Sequence, residues 1–173
     1  VLLSDGYIAN GSEPWKIPSM KDLPKISPRK ITAKEDFYPY NHDNDKLSRP
    51  WAVPGTPGLE HRIGGLEKWD NTGHVSYDKD NHNHMVALRQ KKVDIIAESF
   101  EEIEVYGKQE GDILVLGWGG TYGAIKSAVK RAQNEKKSVS QIHIRNINPL
   151  PSDLKDKISN FKTVLVPELN LGQ

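Results

Sequence analysis

Proline most constrains what this chain can fold into, because eight of its eleven prolines lie between Pro14 and Pro57. Proline lacks the backbone N–H and disfavours helical geometry in the residue before it, so neither a helix nor a central strand can run through this stretch. The same stretch holds five large aromatic side chains, which are rare in disordered linkers. They are Trp15, Phe37, Tyr38, Tyr40 and Trp51. We therefore expect an extended arm that lies against another surface.

The chain from residue 112 onward has a different pattern. A continuous apolar strand at 112–117 is followed by an amphipathic helix, a second strand at 139–144, a short helix capped by Ser152, and a third strand at 163–166. Continuous apolar strands that alternate with helices predict an α/β unit with at least three parallel strands.

Between the arm and the α/β unit, the sequence predicts an irregular hairpin and a helix. Two runs compatible with β-structure flank the turn residues 70–73. Asp78 or Asp80 can then cap a helix that begins near Asn81.

Charge and cysteine content exclude several classes of function. The 24 Lys and Arg against 23 Asp and Glu give a formal charge of +1, which offers no electrostatic reason to bind nucleic acid or an anionic membrane. No apolar run approaches the roughly 20 residues that span a bilayer. With no cysteine in the chain, disulfides, thiolate zinc sites, a cysteine nucleophile and cysteine-ligated iron–sulfur clusters are excluded within it.

A glycine-rich turn, GWGGTYGAI, begins at Gly117 and invites comparison with dinucleotide-binding turns. Gly117 and Gly119 fit the first and third positions of that fingerprint, but Tyr122 occupies the sixth, and the acidic residue expected after the second strand is absent. We favour close backbone packing as the reason for the glycines. Gly119, Gly120 and Thr121 remain candidates for an anion site at a helix N-terminus.

Histidine is concentrated in one part of the chain, with five of the six between residues 42 and 84, among several aspartates. Imidazole and carboxylate both bind zinc or iron, so a metal site is conceivable. However, His82 and His84 are two apart at a helix start and point to different faces, so we expect solvated histidines and no metal site. His61, beside two glycines and Glu67, forms a cluster whose role the sequence leaves open.

Four stretches carry a resemblance to a known family. They are LLSDGYIANGSEPW, PGTPGLEHRIGGLEKWDNTGHVSYDKDNHNHMVALRQKKVDII, ILVLGWGGTYGAI and VPELNLGQ. In this order and spacing they resemble the C-terminal part of the α chain of 2-oxoacid:ferredoxin oxidoreductases, most closely the 2-oxoglutarate type. One small departure is that the family usually has a Thr-Gly pair where Ile63-Gly64-Gly65 stands here.

The resemblance implies a cytoplasmic, thiamine diphosphate-dependent enzyme that decarboxylates a 2-oxoacid, transfers the acyl group to coenzyme A and passes electrons to ferredoxin. It implies that the β subunit supplies the diphosphate and Mg²⁺ site together with the iron–sulfur ligands. The expected partners are therefore the β subunit and, through the complex, ferredoxin and coenzyme A. No position in this chain inherits a catalytic residue of the family, and we expect the chain alone to be inactive and to bind none of these cofactors.

The resemblance also divides the chain into three parts. Residues 1–9 would be the last strand of the domain that faces the thiamine pyrimidine, and residues 10–80 would be the arm and hairpin. Residues 81–173 would be a three-layer, transketolase C-terminal-like α/β domain, with a C-terminus that looks cut. The alternative function is that of a small nucleotide- or anion-binding α/β domain that uses the turn over residues 117–123.

Overall fold

The computed structural model describes residues 6–12, 14, 16–32 and 37–170. Most of the strand expected over residues 1–9, and the arm residue Trp15, lie outside these ranges. Helix α1 (Gly6–Ala9) is a single turn, closed by a 3.1 Å hydrogen bond from Asn10 N to Gly6 O. The strand expected over residues 1–9 is therefore wrong for residues 6–9, because their backbone forms a helical turn.

The chain forms two compact units, one of residues 17–95 and the other of residues 96–173 with the N-terminal residues up to Lys16. The sequence places the start of the α/β domain at residue 81, whereas the compact α/β unit starts at residue 96. The division derived from the family stays a prediction. The difference concerns the helix at 79–94, which makes its polar contacts with the hairpin before it.

In the unit of residues 17–95, strands β1 (Lys30–Ile31) and β2 (Trp51–Ala52) pair in parallel, and helix α2 spans Lys79–Asp94. Asp78 Oδ1 accepts hydrogen bonds from Asp80 N at 3.0 Å and from Asn81 N at 2.8 Å. This confirms Asp78 as the helix cap, since a carboxylate satisfies amides that have no partner within the helix.

The expected hairpin is reduced to one antiparallel bridge between Lys68 and Val75. Trp69 N donates to His74 O at 2.7 Å, and Gly73 N donates to Trp69 O at 3.0 Å. Gly73 has a φ of +73°, and a Cβ there would lie 2.8 Å from the Tyr40 ring. The turn therefore needs glycine at this position, both for its backbone conformation and for the close approach of the arm.

The α/β unit contains a four-stranded sheet in the order β3-β5-β4-β6. Its strands are β3 (Val105–Tyr106), β4 (Gly111–Trp118), β5 (Val139–Ile144) and β6 (Phe161–Leu165). Strand β4 is parallel to both β5 and β6, and β3 is antiparallel to β5. The three parallel strands confirm the predicted architecture, while the short edge strand β3 was not predicted.

Helices cover both faces of this sheet. On one face, Leu154 of α4 (Leu154–Ser159) belongs to the same buried core as Leu114 and Ile142. On the other face, Ile125 of α3 (Tyr122–Asn134) packs against Gly117. This arrangement confirms the three-layer, transketolase C-terminal-like fold.

The cap expected at Ser152 is wrong by one residue, because α4 starts after Asp153. The Asp153 carboxylate accepts a 2.9 Å hydrogen bond from Ile103 N rather than from an amide of its own helix. Among the described residues, none of the helices is long and apolar enough to cross a membrane.

Candidate functional site

The glycine-rich turn lies at the carboxyl end of β4, where Gly119–Thr121 form one 3₁₀ turn that leads into α3. A Cβ on Gly117 would overlap Ile125 Cδ1, so glycine allows the helix to approach the strand closely. By contrast, nothing lies within 4 Å of a Cβ placed on Gly123. Close backbone packing, which we predicted from the sequence, therefore explains why the first residue of the turn, Gly117, is glycine.

The candidate anion site at Gly119, Gly120 and Thr121 stays a prediction. Thr121 Oγ1 donates to Trp118 O at 2.7 Å, so the hydroxyl is used within the turn. Gly119 and Gly120 are exposed, and Gly119 has a φ of +56°. The first turn of α3 is exposed.

Glu67 is the centre of the polar contacts between the hairpin and α2. Arg89 Nη1 and Nη2 donate to Glu67 Oε1 and Oε2, each at 3.2 Å, and His82 Nδ1 lies 2.8 Å from Glu67 Oε2. His82 and Arg89 are seven residues apart, or about two helical turns, so they lie on one face of α2. The Arg89 guanidinium lowers the pKa of Glu67 to about 2, against the opposing effect of burial.

Asp70 makes a second set of contacts with histidines. His84 Nε2 lies 2.7 Å from Asp70 Oδ2, His42 Nε2 lies 3.5 Å from Asp70 Oδ1, and Asn71 N donates to Asp70 Oδ1 at 2.9 Å. Burial acts to raise the pKa of Asp70, but the hydrogen bonds from His84 and Asn71, with the charges of His42 and His84, lower it overall. The carboxylate is therefore held ionised between the arm, the hairpin and α2.

Lys68 is buried, with only 2% of its surface exposed. Its ammonium donates to Gly64 O at 2.9 Å, to Leu66 O at 2.7 Å and to Gly65 O. These three successive residues have φ values of +69°, +48° and +56°, which turn their carbonyls toward one point. The Lys68 ammonium therefore donates hydrogen bonds to carbonyls that the left-handed turn leaves without backbone partners.

Asn81 fixes the hairpin to the first turn of α2. Its Nδ2 donates to Lys68 O at 2.9 Å, and its Oδ1 accepts from Asp70 N at 3.2 Å. The amide is buried, so both of its bonds form away from water. The roles of Lys68 and Asn81 could not be predicted, because nothing in the sequence pattern marks a buried lysine or an amide that bridges two backbone groups.

The structure does not join His61 to Glu67. Instead, the His61 ring packs edge-on against Phe37 at 5.4 Å between centroids, and His61 Nδ1 lies 2.7 Å from Leu59 O. Within the described ranges, no group of three His, Asp or Glu side chains is placed to hold a metal ion. With no cysteine in the sequence, the donors of this chain also do not fit an iron–sulfur cluster. The carboxylates and histidines form a network that positions the hairpin against α2.

Comparisons with known proteins identify relatives. No family model matches the chain. The 2-oxoglutarate oxidoreductase subunit KorA of Mycobacterium tuberculosis is 46% identical over 174 residues, which cover 100% of this chain and 26% of that protein. The α subunit of 2-oxoacid:ferredoxin oxidoreductase 1 of Aeropyrum pernix is 26% identical over 184 residues, covering 100% of this chain and 28% of its own.

A solved structure gives the same result for the fold. It is the 2-oxoglutarate:ferredoxin oxidoreductase from Magnetococcus marinus with 2-oxoglutarate, coenzyme A and succinyl-CoA bound. The TM-score is 0.78 at 29% identity, over 90% of this chain and 27% of that one. This chain thus spans about a quarter of the length of these relatives. In sequence and in fold, the chain is similar to the C-terminal portion of the α subunit of 2-oxoacid:ferredoxin oxidoreductases.

Proposed function

We propose that this chain is the C-terminal, non-catalytic part of the α subunit of a 2-oxoglutarate:ferredoxin oxidoreductase. The observation that carries the proposal is the 46% identity, over the whole chain, to a subunit named as a 2-oxoglutarate oxidoreductase. The complete cytoplasmic enzyme would decarboxylate 2-oxoglutarate, transfer the acyl group to coenzyme A and reduce ferredoxin.

The cofactors of that reaction would be held outside this chain. Thiamine diphosphate supplies a carbanion-stabilising centre, Mg²⁺ holds its diphosphate, and an iron–sulfur cluster carries single electrons. The absence of cysteine and the engagement of Glu67 and Asp70 in local contacts support a β subunit as the holder of the Mg²⁺ and cluster ligands. The role of this chain would be to complete the assembly and to support the site that the other parts form.

The assay that tests this proposal uses the complete α subunit in complex with its β subunit. We expect reduction of ferredoxin that depends on both 2-oxoglutarate and coenzyme A, and a lower kcat/KM when pyruvate replaces 2-oxoglutarate. A complex that oxidises pyruvate in preference to 2-oxoglutarate would contradict the substrate, and one that oxidises no 2-oxoacid would contradict the activity.

The alternative, a nucleotide- or anion-binding domain, is separated by calorimetry on the chain of residues 1–173. As a non-catalytic part, the chain should bind none of NAD, ATP and coenzyme A tightly and should show no turnover of 2-oxoglutarate. Micromolar binding of one of these nucleotides, lost on Gly120→Pro, would favour the alternative.

A further inference from the structure

The segment of residues 17–31, which we call the basic arm, repeats an apolar residue at every third position. The four residues of this apolar stripe are Ile17, Met20, Leu23 and Ile26. A polyproline II helix and a 3₁₀ helix both have three residues per turn, so a period of three places these side chains along one side.

Two residues of the basic arm have polyproline II dihedral angles on either side of a 3₁₀ turn. Ser19 has φ −67° and ψ 145°, and Leu23 has φ −76° and ψ 138°, which are polyproline II values. Between them, Met20–Asp22 form one 3₁₀ turn. Pro18, Pro24 and Pro28 fix φ on either side of that turn and lower the entropy that the segment loses when it is held by a partner.

The apolar stripe is exposed in this chain. Ile17 is 84% exposed, Met20 82%, Ile26 87% and Leu23 44%. Single exposed apolar residues are ordinary, but an aligned row of four marks an interaction site.

The basic arm also carries a net positive charge that is larger than that of the whole chain. Lys21, Lys25, Arg29 and Lys30, against Asp22, give it a formal charge of +3, compared with +1 for the whole chain. All four cations are exposed, and none forms an ion pair with another described residue. The charge is thus available to a partner, and the partner surface that complements it is acidic.

The carboxyl end of the basic arm is fixed to the rest of its unit. Trp51 N donates to Arg29 O at 2.8 Å, and Val53 N donates to Ile31 O at 3.4 Å. By contrast, among the described residues, the backbone–backbone hydrogen bonds of residues 17–28 are the two of the 3₁₀ turn, from Asp22 N to Ser19 O and from Leu23 N to Met20 O. The described contacts therefore hold the basic arm to its unit at its carboxyl end.

We propose that the basic arm docks as a polyproline II ligand in an acidic groove with an apolar floor, on another polypeptide of the complex. The apolar stripe would face the floor of the groove, and the lysines and arginine would face its acidic rim. This mode of recognition uses an extended segment whose conformation exists before binding. The proposal rests on the proposed function only in naming the oxidoreductase complex as the source of that polypeptide.

A polypeptide fits the basic arm better than nucleic acid or a lipid surface does. The basic arm contains no aromatic side chain to stack on a base, and phosphate contacts would leave its aliphatic stripe in water. Adsorption on a membrane uses an amphipathic helix, whereas this segment holds only one 3₁₀ turn.

The test is a variant that moves the stripe out of register without changing composition or charge. It combines Ser19→Met with Met20→Ser, and Ile26→Ser with Ser27→Ile, in the complete α subunit. Sedimentation velocity with the partner subunits should show at least about a tenfold rise in the dissociation constant, since two of the four apolar contacts are lost. An unchanged dissociation constant, or a wild-type subunit that binds no partner polypeptide, would overturn the proposal.

A charge-reversal pair tests the acidic rim. Lys21→Glu with Lys25→Glu should weaken association at low salt, and the difference from wild type should shrink at 0.5 M salt. The matched control is Lys91→Glu with Lys92→Glu, two exposed lysines of α2. Equal weakening by both pairs would show a general effect of net charge and would overturn the proposal.

Other partners and the enzyme assignment are separated in the same preparations. The wild-type complex is also tested for binding to a single-stranded RNA and to phosphatidylserine vesicles. If Lys21→Glu with Lys25→Glu abolishes such binding but leaves subunit association unchanged, docking on a polypeptide is contradicted. If the complex associates through the arm yet oxidises no 2-oxoacid, the proposed function fails and the docking proposal holds. If the complex oxidises 2-oxoglutarate but its association does not depend on the basic arm, the docking proposal fails and the proposed function holds.

Discussion

Arg89 and Glu67 form a two-point ion pair, with both guanidinium nitrogens 3.2 Å from the two carboxylate oxygens, across 22 residues of sequence. The pair joins the hairpin to the third turn of α2, and the hydrogen bonds that Arg89 donates keep the pKa of Glu67 well below its ordinary value. Such planar, two-point pairs define orientation as well as contributing energy. The pair therefore fixes the orientation of the hairpin relative to α2.

This pair predicts a loss of local stability in acid. The pKa of Glu67 is lowered from 4.5 to about 2 on folding, so its stabilising effect is complete above pH 4.5 and is lost as the pH falls toward 2. Amide exchange in α2, measured at pH 6, should be faster in Glu67→Gln than in wild type. The ratio between the two should approach one at pH 2. Glu60→Gln, at an exposed position in the same unit, is the control and should match wild type at both pH values.

A second prediction concerns the buried ammonium of Lys68. Lys68→Met keeps much of the side-chain volume but removes the donor to the carbonyls of Gly64, Gly65 and Leu66. We expect a loss of about 1–3 kcal/mol in the free energy of unfolding, the usual result of leaving such groups without a partner. Urea denaturation followed by intrinsic tryptophan fluorescence measures it. The same substitution at exposed Lys79 should change stability by less than about 0.5 kcal/mol, and equal effects at the two positions would contradict a special role for Lys68.

A third prediction distinguishes two glycines of one turn. Gly117→Ala places a methyl group against Ile125 and Thr121 and should destabilise the α/β unit by about 1–3 kcal/mol through overpacking. Gly123→Ala meets open space at a helical position and should be neutral or stabilise by up to about 1 kcal/mol. Thermal denaturation of both variants measures the difference, and an equal effect of the two would refute close packing as the reason for Gly117.

The sequence allowed prediction of the elements whose pattern is local. The run of residues 113–116 at the centre of β4 is apolar throughout because both sheet faces are covered. The capping of α2 by Asp78 depends on amides two and three residues away. Strand β3 could not be found in this way, since its two residues become a strand only by pairing with β5, whose partners lie about 35 residues later in the chain.

The contacts of the candidate site were less predictable, because they depend on how the hairpin meets the helix. The sequence placed Glu67 near His61, yet the left-handed turn at Gly64–Leu66 redirects the chain and brings Glu67 to His82 and Arg89. The buried position of Lys68 follows from the same turn. A backbone conformation that only the folded hairpin stabilises therefore decides which side chains meet.

The most direct test of the central claim, that this chain supports a 2-oxoglutarate oxidoreductase without contributing catalytic groups, is the rate of ferredoxin reduction by the complete complex. The measurement compares the wild-type complex with one that carries His82→Gln, His84→Gln and Thr121→Ala, after sedimentation has shown equal assembly. We expect reduction that requires 2-oxoglutarate and coenzyme A, with a kcat in the variant within about twofold of wild type. Loss of a general acid, base or positioning group costs about 100-fold or more. A loss of that size in the assembled variant, or no 2-oxoglutarate oxidation by the wild-type complex, would contradict the claim.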